Sequence, residues 1–204
     1  AERLFATTGI ENISVRQINL AAGQRNPCAT AYHFGSRDKL LAAGLDVHRE
    51  GINQRRLAIV AALRSAGRER DLHALAEALV LPLAELLPPA PGGHYLRVMA
   101  QVIGHPRYYR LARGRQHGEG LAAVLTLLRA IPSAIPADIL NQRFGMAMRQ
   151  IIHELADYQQ VYYTRQTAGK PATSLFISNL IDSVAGLLSA PLSAATHREH
   201  QRYG

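Results

Sequence analysis

Apolar positions recur at intervals of three and four along nearly the whole chain, and no alternating run persists for more than a few residues. Residues 1–8 carry Leu4 and Phe5 on one face and stop at Gly9, the signature of a helix end. The signal sharpens at Ile13-Ser14-Val15-Arg16-Gln17-Ile18. Ser14 is placed to cap a helix whose Gln17 reaches back, and Ile13 and Ile18 take the two staple positions. That helix runs to Ala22 and stops at Gly23. Asn26-Pro27 opens a second short helix, because Asn caps well and Pro lacks only an N–H that would be orphaned there. It ends near Tyr32, His33-Phe34-Gly35 form a corner, and Ser36 caps a long helix over 37–63.

The remainder keeps the helical period. Over 71–87, Leu72, Leu75, Ala76, Leu79, Leu83, Leu86 and Leu87 share one broad face, and Pro82 predicts a kink. A Pro- and Gly-rich loop occupies 88–93, and helices follow over 94–104, 106–130, 137–163 and 174–189. The pattern predicts an all-α fold of about nine helices without internal repeats. The polar stretch 157–170 reads as a frayed end or connection, and the polar tail after Pro191 as mobile.

Composition adds three constraints. Apolar residues make up 48% of the 204, enough for a core, and with no Trp and few Phe or Tyr the interior falls to Leu, Ala, Ile and Val. The net charge of +8 makes nucleic acid or another anionic surface a plausible partner, although solubility alone would explain it. The single cysteine, Cys28, excludes an internal disulfide and fits a reducing, cytoplasmic setting. No apolar run approaches the roughly 20 residues of a membrane span, and no signal peptide is visible. The chain opens inside a helical pattern, which leads us to expect a few preceding residues.

Two short helices joined by a tight Gly-containing turn match a helix-turn-helix, whose second helix lies in the major groove while the first braces it. Cys28, Ala29 and Ala31 are small enough to let the second helix approach closely, and Arg25 stands beside its start. Beyond this, residues 4–41 resemble the DNA-binding domain of the TetR family of transcriptional regulators. The resemblance is carried by Leu4-Phe5, Gly9, Ser14-Val15-Arg16-Gln17-Ile18, Ala22-Gly23, Tyr32-His33-Phe34 and Ser36-Arg37 with Leu40-Leu41. Two departures stand out: Gln24-Arg25-Asn26 replaces the family's usual Val-Ser after the Gly, and Ala31 stands where many members have a phosphate-contacting Tyr.

The resemblance implies a DNA-binding head over 1–44 and an effector-binding and dimerisation domain over 45–204. Its DNA-facing set would be Ser14, Val15, Arg16, Gln24, Arg25, Asn26, Cys28, Ala29, Tyr32, His33 and Arg37. Arg37 takes the phosphate-contacting role of a Lys common in the family. For His33 a phosphate contact and a packed corner both stay open, as do DNA contact and packing for Tyr32. Cys28 reads as a packing residue rather than a redox sensor.

The resemblance further implies a homodimer on palindromic operator DNA, repressing until a small effector enters the larger domain. Tyr95, Met99, Val102, Ile103, Tyr108 and Tyr109 would line the effector cavity, with Phe144 and Met148 closing it. A stripe of Leu155, Phe176, Ile177, Leu180, Ile181, Val184 and Leu188 would pair with a second subunit. The expected effector is largely apolar, and neither cofactor nor metal is expected: His197 and His200 lack companion ligands. A ligand-independent architectural DNA-binding protein is the alternative on the same fold. An enzyme would need ionisable residues converging on one pocket, whereas the acidic residues look scattered.

Overall fold

The computed structural model describes residues 1–23, 36–87, 93–113, 118–164 and 173–203, with the backbone alone at 111–113 and 162–164. Its secondary structure is entirely helical, without a strand among the described residues. Helices α1 (Glu2–Thr8) and α2 (Val15–Ala21) precede a long α3 (Arg37–Ser65), followed by α4 (Leu72–Ala84) and α5 (Tyr95–Gly104). Then come α6 (Pro106–Arg113), α7 (Glu119–Ala130), α8 (Ala137–Thr164), α9 (Thr173–Ser189) and α10 (Ala194–Tyr203). The short helix expected to start at Pro27 lies outside the described residues.

Local chemistry sets several helix starts. Ser14 Oγ accepts from the Gln17 amide at 3.2 Å while Gln17 Oε1 accepts from the Ser14 amide at 2.8 Å, a reciprocal capping box. Ile13 and Ile18 are both buried beside it. Ser36 Oγ accepts from the Lys39 amide, and Asp71 Oδ1 from the Ala74 amide, each satisfying an otherwise orphaned donor. Gly9, at a φ of 95°, ends α1 in a conformation that a side chain would strain.

Helix α4 is apolar except at His73 and Glu77, which pair at its outer side, and forms the centre of the protein. It packs against α3, α7, α8 and α9, and Ala74, Leu75, Ala76, Ala78, Leu79 and Val80 are entirely shielded. The helix continues through Pro82, after which the Leu86 and Leu87 amides bond three residues back. Proline at 82 supplies no N–H for the Ala78 carbonyl. The buried Arg56 of α3 takes that place: its Nε donates to Ala78 O at 3.1 Å and its Nη2 to Leu79 O at 3.4 Å.

Two expectations need correction. The single helix over 106–130 is two helices, because a new start is built at Gly118–Gly120, where Asn53 Oδ1 of α3 accepts from the Gly120 amide at 2.8 Å. A Cβ on Gly120 would stand 2.9 Å from the Asn53 carbonyl oxygen, so glycine is what lets α7 abut α3. The tail after Pro191 is also helical. Ser193 caps it by accepting from the Thr196 amide, and His200 Nε2 meets Asp138 Oδ1 of α8 at 3.1 Å.

Candidate functional site

The N-terminal helices meet the rest of the chain through a polar seam. Gln101 of α5 spans the turn at Gly9: its Nε2 donates to Phe5 O and its Oε1 accepts from the Ile10 amide, both at 3.0 Å. Arg97 Nη2 donates to Ala6 O, and Glu2 accepts from the His94 amide while its other oxygen meets His48 Nε2 of α3 at 2.9 Å. On the far side, Arg107 of α6 pairs with Asp38, and His105 stands 3.3 Å from Glu11. The boundary expected between 44 and 45 falls inside the unbroken α3.

Of the DNA-facing set, Ser14 and Arg16 are exposed and Val15 is half-buried at the start of α2. Gln24, Arg25, Asn26, Cys28, Ala29, Tyr32 and His33 lie outside the described residues. Arg37 is engaged within the chain. Its Nη1 donates to Glu11 O at 3.0 Å and its Nη2 to the Tyr108 hydroxyl at 3.1 Å, so the guanidinium ties α3 to the turn after α1 and to α6.

A cavity of about 410 Å³ opens between α3, α5, α7 and α8. Of the expected lining, Tyr95, Met99, Ile103, Tyr109, Phe144 and Met148 reach it. Val102 and Tyr108 do not: both are buried, flanking a separate small gap beside Leu41 and Leu45. The helical period explains the split, since positions 95, 99 and 103 of α5 share one face while 98 and 102 turn about a quarter circle away.

The larger correction concerns α3, which the expected lining omitted. Asp46, Arg49, Glu50, Asn53 and Arg56 all face the cavity, and Arg149 of α8 joins them. The acidic groups are therefore not all scattered on outer faces. Arg49 Nη1 donates to Asp46 Oδ1 at 2.7 Å, while its Nη2 is buried without a hydrogen-bond partner among the described residues. Gln54 Nε2 donates to Glu50 Oε1 at 2.6 Å. Burial pushes Arg56 down to about 10, which still leaves it protonated at neutral pH. Burial raises the Tyr95 phenol against the opposing pull of Arg49 and Arg56, so it stays a neutral donor and acceptor. Its ring leans on His48 with centroids 5.0 Å apart.

The stripe expected to meet a second subunit faces inward. Leu155, Leu180, Ile181, Val184 and Leu188 are buried within this chain, because α9 packs on α4 and α8. Phe176 stacks on Tyr158 at 4.3 Å, and Ile177 is half-buried against the same core. The outward faces of α8 and α9 instead expose Met146, Val161 and Leu175.

Among the described residues, no group of three or more His, Cys, Asp or Glu is placed to hold a metal. No single described helix is long and apolar enough to cross a membrane. Compared with models of known protein families and with curated proteins, the chain matches none.

Proposed function

We propose that this protein is a cytoplasmic DNA-binding transcriptional regulator of the TetR type, released from its operator by a small molecule. One observation supports the gating part above all: α3 and α5 wall the cavity and also carry the contacts that hold α1 and the turn after it. A molecule that spreads α5 from α3 would tilt the N-terminal helices. By linkage, an effector that favours the non-binding arrangement lowers DNA affinity, with couplings of about 1–3 kcal/mol typical. The exposed start of α2, with Ser14 and Arg16 outward, fits the bracing helix of a helix-turn-helix.

The open cavity favours gating over a ligand-independent architectural role. Its described lining brings ionisable groups together but carries no Ser, Thr or Cys nucleophile, and its Asp46 is already paired with Arg49, which suits binding better than catalysis. The homodimer reading moves to the outer faces of α8 and α9, which carry three of the six large apolar side chains exposed among the described residues. Repression is the expected sign of regulation.

Selection from a random-oligonucleotide pool tests the proposal. A palindromic sequence should emerge, with affinity falling steeply as salt rises. Enrichment of no sequence at any salt concentration would refute it, and a monomer in sedimentation would remove the dimer.

A further inference from the structure

The structure assigns the cavity to an amphiphilic anion: a carboxylate or phosphate head against Arg56 and Arg149, with an apolar body along Met99, Leu121, Phe144 and Ile152. The assignment rests on the cavity being a ligand site and adds the chemistry of what fills it.

Arg56 carries the argument. It is 5% exposed, yet no carboxylate forms an ion pair with it among the described residues, which include every Asp and Glu of the chain. A buried cation without a counter-charge is costly. The carbonyls of Ala78 and Leu79 fix the guanidinium in place, but a neutral amide donor would satisfy them equally. The positive charge is left over, and it borders the cavity.

The rest of the lining agrees. Three guanidinium groups face two carboxylates, of which Asp46 is paired with Arg49 and Glu50 accepts from the neutral Gln54 amide, so positive charge is in excess. A neutral ligand would leave Arg56 uncompensated, and a cationic one would meet a lining whose net charge is already positive. Arg149 lies over Gly145, its Nη1 3.7 Å from where a Cβ would be. Gly118, the N-cap of α7, also lines the cavity, so the positive end of that helix dipole adds charge of the same sign. Much of the remaining lining is aliphatic or aromatic, a place for a chain or ring.

Decanoate, decyl phosphate and decanol, added to the full chain without DNA, supply the test. The two anions should raise the melting temperature and decanol should not. In the double variant Arg56→Met with Pro82→Ala, residue 82 regains an N–H for the Ala78 carbonyl while the charge is lost. This variant should melt cooperatively and bind decanoate at least about tenfold more weakly, the effect of losing a charge-assisted bond. Decanol binding as tightly as decanoate, no shift with any of the three, or undiminished decanoate affinity in the double variant would each overturn the assignment. If the double variant does not fold, the comparison of the three ligands on the unaltered chain decides alone. Anion binding through Arg56 in a chain that selects no DNA would keep this assignment and remove the regulatory reading. Release from DNA by neutral compounds only would do the reverse.

Discussion

The core around α4 and the seam between α1 and α5 differ in how much of the joint is polar. Around α4, six side chains are wholly shielded and all are aliphatic, so the joint is held by close packing. Between α1 and α5 the buried Phe5 and Ala6 are joined by Gln101 and Arg97 reaching backbone groups of the N-terminal helix and the turn after it. Packed interiors resist gradual deformation, because even a methylene of misfit is felt. Hydrogen bonds to a short helix can be exchanged for water at modest net cost. The contrast sets a rigid centre against a seam that can give.

The sharpest way to break the comparison is Leu79→Ala. With Leu79 fully shielded, the cavity left behind should cost about 2–5 kcal/mol, read as a lower urea midpoint for the whole chain. A cost below about 1 kcal/mol would mean that α4 is not the rigid element.

Gln101→Ala probes the seam. The Ile10 amide loses its acceptor, which should cost about 1–3 kcal/mol, felt in the N-terminal helices alone. Hydrogen exchange should quicken across residues 2–21 and stay slow in α4. Equal acceleration in both regions would make them one cooperative unit.

Ser14→Ala removes one half of the capping box, a loss of about 0.5–2 kcal/mol in α2. It should weaken DNA binding mildly and leave ligand-induced melting shifts unchanged.

The smallest effect is acidic. Burial, assisted by Arg97, holds the His94 ring below its ordinary value. The unfolded chain therefore takes up this proton first, so the stability contribution is full above about pH 6.5 and declines as pH falls below it. His94→Gln should flatten that decline in pH-dependent melts, and an unchanged slope would count against the assignment.

Most of the helices were legible because their starts are written in local chemistry: Ser14 with Gln17, Ser36 and Asp71 each carry their own cap. The break between α6 and α7 was not, because it depends on Asn53, sixty-odd positions upstream, reaching the Gly120 amide. The aromatic and Met part of the cavity was partly readable from spacing on α5 and α8, while Val102 and Tyr108 fell on the neighbouring face. The arginines were overlooked although a signal existed. Leu45, Arg49, Ile52, Arg56, Val60 and Leu63 follow a three-four spacing, so two cations stand within the buried stripe of α3. A charge on an apolar stripe is the informative exception, since such side chains are seldom buried unless paired. The inward turn of α9 has no local signature, because an apolar stripe looks the same whether its own chain or a second copy covers it.

Pro82 lines no part of the cavity, yet it sets where the charge of Arg56 stands. By withholding one N–H it creates a demand that only a long donor from α3 meets, and the donor present brings a charge with it. Positions 56 and 82 are therefore coupled through one carbonyl: alanine at 82 would supply the missing N–H and loosen the hold on the arginine from outside the pocket wall.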